Sequence, residues 1–215
     1  MCGALGAAPC PACAARLRRA PPLPAPVGVD SCLALLAYED VGRELVARLK
    51  YRNARSSLPF LAERMAALVA AEGAGPVGID VVTWAPTTDA RRRERGFDQA
   101  ELLARAVARR LGRGVPCRPL LVRPPGSAQT GQTLETRRKG PTFRPARPCP
   151  PRVLLVDDVV TSGATVTAAA RTLRAAGALH VHVVAAARTP RIGRRPGPAP
   201  AGPTLPACGR VWVCG

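Results

Sequence analysis

Aromatic residues make up only 3% of this 215-residue chain, lysine is nearly absent, and 14 acidic residues face 32 basic ones. So few rings exclude a core built on aromatics and weigh against stacking platforms for single-stranded nucleic acid. The 47% of hydrophobic residues must therefore fill the core as Val, Leu and Ala, which suits a parallel sheet covered by Ala-rich helices. No apolar run reaches the ~20 residues that span a bilayer. The opening Met1-Cys2-Gly3-Ala4 lacks a basic segment followed by an apolar stretch, so no secretory signal is expected and the chain reads as cytosolic. In that compartment the 8 Cys read as reduced thiols or metal ligands rather than a disulfide framework. The net charge of +18 asks for an anionic partner: nucleic acid, phosphate esters or anionic lipid. An Arg- and Ala-rich chain is also what a GC-rich genome encodes, so charge alone does not choose among them.

Residues 1–31 form a leader rich in Cys, Pro and Ala. Within it Cys10-Pro-Ala-Cys13 is a CxxC pair, and Cys2 upstream makes a third candidate zinc ligand. Residues 32–187 carry regular patterns. Cys32 to Tyr38 reads as a strand, Val41 to Tyr51 and Leu58 to Ala71 as helices with apolar residues at helical spacing. Ile79 to Trp84 reads as a buried strand, Asp98 to Leu111 as a helix closed by Gly112, and Leu120 to Arg123 as a short strand. Arg152 to Val156, Thr165 to Ala176 and His180 to Ala187 then read as strand, helix and strand. These repeating steps predict an α/β fold with a doubly wound parallel sheet and ligands at strand C-terminal ends. His180 and His182 alternate on the last strand and read as structural. Residues 188–215, rich in Pro, Gly and Arg, hold too few large apolar residues to fold alone.

The run Arg152-Val-Leu-Leu-Val-Asp-Asp-Val-Val-Thr-Ser-Gly-Ala-Thr165 carries the chemistry. Its apolar residues bury a strand on both faces, and Asp157 and Asp158 sit where that strand emerges. Two carboxylates there are costly unless something cationic or hydroxyl-rich meets them. Thr161, Ser162, Gly163, Ala164 and Thr165 follow and lead into a helix, offering free backbone N–H groups and a positive dipole end to an anion. Diol-seeking carboxylates beside a phosphate cradle describe a site for a ribose 5-phosphate. Thr and Ser that only cap the helix are the plainer alternative, but capping leaves the paired Asp unexplained.

This run closely resembles the phosphoribosyl pyrophosphate (PRPP) signature of type I phosphoribosyltransferases. The resemblance implies that Asp157 and Asp158 contact the ribose hydroxyls, that Thr161 to Thr165 bind the 5-phosphate, and that Mg²⁺ bridges diphosphate and ribose oxygens. Further fragments resemble the ComF family of competence-associated and GntX-like proteins: Leu49-Lys-Tyr51, Trp84-Ala-Pro86, Arg92-Arg-Glu-Arg-Gly-Phe-Asp-Gln99, and Gln129-Thr-Gly-Gln-Thr-Leu134 with Arg137. Members commonly begin with a four-Cys zinc ribbon, to which only Cys2-Gly3 and Cys10-x-x-Cys13 correspond here.

Around the signature, the loop with Pro86 and Thr87 is expected to hold pyrophosphate through backbone N–H groups. Arg92, Arg93 and Arg95 are expected to neutralise it with their guanidinium forks. Arg123 to Arg147 reads as a long polar loop, a lid whose contacts are Gln129, Gln132 and Arg137. The implied function is a Mg²⁺-dependent phosphoribosyltransferase that releases pyrophosphate, its acceptor unassigned. The alternative is a non-catalytic PRPP or nucleotide sensor that binds single-stranded DNA in natural transformation. The expected partners are accordingly PRPP or a related ribose phosphate, single-stranded DNA or the competence machinery, and a second copy of the chain.

Overall fold

The computed structural model describes residues 8–22, 24–50, 56–72, 78–112, 114–124 and 140–190. Its centre is a four-stranded parallel sheet in the order β1-β6-β5-β2. The strands are β1 (Ser31–Ala37), β2 (Val81–Trp84), β5 (Arg152–Val160) and β6 (His180–Arg188). The two inner strands are covered on both faces. Val153 to Val156 of β5 and Val183 to Ala187 of β6 are fully buried, so both read as unbroken apolar runs instead of alternating ones.

Helices close both faces, which makes the sheet doubly wound. One face carries α2 (Asp40–Ala47), α3 (Leu58–Ala71) and α5 (Gln99–Leu111). Leu61, Met65 and Val69 of α3 meet Leu103, Ala104 and Val107 of α5 above Leu154 and Val156 of β5. The repeated Ala on α5 lets the helix approach the sheet closely. The other face carries α6 (Ala164–Ala175), whose Val166, Ala169, Ala170 and Leu173 pack on Val153, Leu155, Val181 and Val183. Among the described residues, no helix is long and apolar enough to cross a membrane.

Three expectations are corrected. Leu121–Val122 (β3) does not extend the main sheet; it pairs antiparallel with Arg144–Pro145 (β4) in a separate ribbon. The edge beside β2 is filled instead by the segment just before it, through Val82 N–H to Pro116 O (2.9 Å) and Arg118 N–H to Val82 O (3.0 Å). That segment has no alternating pattern because it borrows a single bridge's worth of pairing. A helix absent from the sequence reading, α4 (Asp89–Arg95), follows β2. It has no buried residue, so no hydrophobic period betrays it. Finally, β6 continues through Arg188, buried at 4% exposure, where the tail was expected to begin.

The leader is docked against this core. A one-turn helix α1 (Pro11–Ala14) buries Cys13, and Ala37 N–H donates to Arg18 O (2.9 Å), pairing the leader antiparallel with β1. Further on, residues 26–30 strap across α6. Arg174 donates from Nε to Gly28 O (2.9 Å) and from Nη2 to Asp30 (2.7 Å), while Asp30 also accepts from Val181 N–H (2.6 Å). His182 Nδ1 lies 2.9 Å from Ser31 Oγ and His180 Nδ1 lies 3.9 Å from Asp30, both at the strands' N-terminal end. Cys2, Tyr51 and residues 191–215 lie outside the described residues.

Candidate functional site

Trp84, the last residue of β2, pairs with Val156 of β5, whereas β5 continues to pair with β6 as far as Val160. Asp157 and Asp158 therefore begin where β5 loses its neighbour on one side only. This is the C-terminal edge of a parallel sheet, where such folds take ligands in a crevice between adjacent strands. β5 is four residues longer than the expected strand, and both carboxylates lie within it.

The two carboxylates are not equivalent. Asp157 is 7% exposed and its Oδ1 accepts from Asp158 N–H (2.8 Å). Burial first, then the Asp158 charge, push its carboxyl well above the usual range. Asp158 is half-buried, and its Oδ1 accepts from Val159 N–H (2.8 Å). The strand's alternation aims neighbouring side chains at opposite faces, which is why one acid is sunk and the other remains reachable.

Beyond Val160 the chain turns through Thr161, Ser162 and Gly163 into α6. Gly163 occupies the N-cap position with φ +80°, and no side chain there caps the helix. The positive φ favours glycine, and a Cβ here would also lie 3.1 Å from Pro26 Cγ, so the leader strap would have to give way by a few tenths of an ångström. Thr161 and Ser162 are exposed and Ala164 and Thr165 half-buried. Ser162 Oγ makes only a long contact with Ala164 N–H (3.4 Å). The hydroxyls thus do not cap α6 from its N-cap position, and its first-turn N–H groups have no carbonyl acceptor within the helix.

Beside this lies the end of β2. The loop with Pro86 and Thr87 follows it, and Thr87 N–H, one of the donors expected to face pyrophosphate, donates here to Asp98 Oδ2 at 2.7 Å. Asp98 is 4% exposed and its other oxygen accepts from Ala100 N–H (3.0 Å) and Glu101 N–H (3.4 Å), so one carboxylate caps α5 and ties the loop down. Burial nonetheless raises its carboxyl above the usual range. Pro86 stands half-buried in that loop.

Thr88 caps α4 through Arg91 N–H (3.3 Å), and Gly96 ends the helix in the left-handed region. α4 presents Arg92 and Arg93 to solvent and Arg95 half-buried. Arg92 lies 3.9 Å from Glu101, and Arg95 Nη1 donates to Gln99 Oε1 (3.1 Å).

Sequence reasoning missed Asp98 and Gln99 as site neighbours, and it placed Arg123 at the end of a short strand and the start of a loop without assigning it to the site. An Asp before a helix signals an N-cap, but its second bond, back to Thr87, has no local signature. Arg123 lies over the Phe143 ring (5.9 Å) at the root of the β3–β4 ribbon. Burial lowers its pKa, Arg91 lowers it further, and the Asp98 charge opposes both. The expected lid is anchored at both ends by that ribbon, but Gln129, Gln132 and Arg137 lie outside the described residues.

The metal candidates separate. Cys2 is outside the described residues, Cys10 is partly exposed and Cys13 is buried. Cys32 lies on β1, where its Sγ accepts from Arg188 Nη2 (3.0 Å). Among the described residues, no three His, Cys, Asp or Glu gather as a metal cluster.

Residues 99–196 match the model of the phosphoribosyl transferase domain family, a stretch that runs from α5 through the acidic pair and past the end of β6. Among solved structures, the chain resembles the allosteric regulatory enzyme of purine biosynthesis at 25% identity and TM-score 0.38, over 58% of this chain and 25% of that one. It thus spans a quarter of that enzyme's length. It also resembles a purine phosphoribosyltransferase from Pyrococcus horikoshii Ot3 at 15% identity and TM-score 0.37, over 60% of this chain and 82% of the other. No curated protein matches the chain. The acidic pair and the small-residue loop lie within the stretch that matches that family model.

Proposed function

We propose that this chain binds PRPP across the ends of β5 and β2 and transfers its phosphoribosyl group to an acceptor, releasing pyrophosphate. One observation carries the reading: a reachable carboxylate, Asp158, stands where β5 outruns β2, a few residues before an uncapped helix N-terminus. The first-turn N–H groups of α6 would hold the 5-phosphate, since they need an anion and nothing in the helix supplies one. Asp158 would accept from the ribose hydroxyls, and the arginines of α4 would face the diphosphate. Transfer through an oxocarbenium-like centre is then mostly a matter of positioning and charge.

Mg²⁺ fits this donor set as a cation that arrives with its ligand. Asp158 offers one carboxylate at the crevice, and a hard cation of this kind completes its shell with phosphate oxygens and water. Bound there, it would neutralise diphosphate charge. The ComF resemblance of the fragments around the signature adds natural transformation as a setting. The exposed Arg91, Arg92 and Arg93 also keep a single-stranded-DNA reading in play.

Calorimetric titration of the full chain with ribose 5-phosphate, then with PRPP and Mg²⁺, tests the proposal. Binding of both, followed by pyrophosphate release with one member of a panel of bases and amines, is the expected result. No binding of either ligand at millimolar concentration overturns it. DNA binding with a steep salt dependence, indifferent to PRPP, would establish the other reading.

A further inference from the structure

Gln99 opens α5 and is 3% exposed. Its Oε1 accepts from Arg95 Nη1 at 3.1 Å. A guanidinium can only donate, so this contact settles which end of the carboxamide is oxygen. Nε2 is then left over. Among the described residues it is the buried side-chain nitrogen or oxygen with no hydrogen-bond partner. A buried amide donor without an acceptor forfeits its hydration and gains nothing in return, so such a group in a folded protein takes its acceptor from water or a ligand.

Its neighbourhood says which kind of ligand. Asp98, the preceding residue, holds the loop after β2 by Thr87 N–H, and its charge reaches Asp157 at the acidic pair. Gln99 thus lies on the β2 side of the pair. The loop Thr161 to Gly163 leaves on the other side, toward α6, which packs on the opposite face of the sheet. A ribose with its 5-phosphate at α6 and its hydroxyls at Asp158 directs its C1 substituent toward the β2 side. In PRPP that substituent is a diphosphate, whose oxygens only accept. Thr87 N–H is already committed to Asp98, so it is not the donor waiting for them.

We propose that Gln99 is a positioning and contact residue for the C1 diphosphate: Oε1 sets the guanidinium of Arg95, and Nε2 donates to a diphosphate oxygen. The inference rests on the PRPP reading above. It assigns a residue that neither the acidic pair nor the phosphate loop contains.

The test measures affinity of the full chain for three probes: ribose 5-phosphate, inorganic diphosphate with Mg²⁺, and PRPP with Mg²⁺. Gln99→Met keeps the side chain's shape and removes both polar ends. Gln99→Glu keeps an acceptor for Arg95 and removes the donor. Both variants are expected to bind diphosphate and PRPP about tenfold more weakly, as for loss of one bond to a charged acceptor, and ribose 5-phosphate unchanged. Wild-type diphosphate affinity in both variants overturns the assignment and leaves Nε2 serving a bound water only. An equal loss for ribose 5-phosphate also overturns it, since the residue would then act through the fold at large. If Gln99→Met does not fold, Gln99→Glu decides alone. Should the wild-type chain bind neither ribose 5-phosphate nor PRPP, the PRPP reading fails, and that failure is separate from unchanged diphosphate binding in a variant.

Discussion

The ends of β5 and β2 lie side by side on one edge of the sheet, yet they are assembled in opposite ways. The β5 end is one unbroken run, Arg152 to Thr165, in which strand, acids, turn and helix start follow one another. The β2 end is gathered from separate places: Thr87 tied to Asp98, Arg95 to Gln99, and Arg123 brought in over Phe143. A site written in backbone geometry tolerates change elsewhere and can be recognised in sequence. A site held by side-chain bonds between distant turns is adjustable, and its parts fail one at a time.

Asp158→Asn strikes the β5 end hardest. A charge-assisted acceptor is roughly twice as strong as a neutral one, so ribose 5-phosphate affinity should fall about tenfold or more. The melting temperature should stay near wild type, because Asp158 is half-buried and its bond to Val159 N–H is local. Calorimetry that finds equal affinity would remove the acid from the site.

Asp98→Ala probes the other end with a smaller effect. Losing the cap of α5 should lower stability by about 1 kcal/mol, read from urea unfolding. Freed Thr87 N–H should loosen the loop, so PRPP affinity drops while ribose 5-phosphate affinity holds. A parallel loss of both would mean that the two ends are not separable.

Asp157 gives the smallest signal, in pH. Its folded-state carboxyl titrates well above the usual value, chiefly through burial, so the folded chain keeps a proton that the unfolded chain releases. Stability on this account is fully present below the ordinary carboxylate value of about 3.9 and is lost as pH rises through the folded value. Asp157→Asn should flatten that slope and raise stability at neutral pH. Urea midpoints at a series of pH values check it, and an unchanged slope would show that the buried acid is balanced by a neighbour.

The same contrast explains what was legible. α3 appears over the expected residues because Leu61, Met65, Leu68 and Val69 repeat at helical spacing, and β5 because four buried aliphatics precede two acids. The acidic pair and the turn to α6 were read from chemistry that lies within one segment. α4 escaped because its residues are charged on every side, and the sheet edge at Pro116 because one bridge leaves no pattern. The Thr87–Asp98 tie escaped because capping residues announce the helix they start and not the loop they also hold. The strap at Pro26 escaped because nothing in a Pro- and Ala-rich stretch names a partner so far along the chain.

The sheet order β1-β6-β5-β2 has a consequence for how the chain is made. β1 leaves the ribosome early, but its partner β6 comes last, and Ser31 meets His182 across a separation of 151 residues. Until then the early strand has nothing in the main sheet to pair with, and the leader paired to it has no base. Domains otherwise tend to fold as they emerge, N-terminal parts first. Here β1 must wait for β6, and closing so long a loop carries an entropy cost that slows folding.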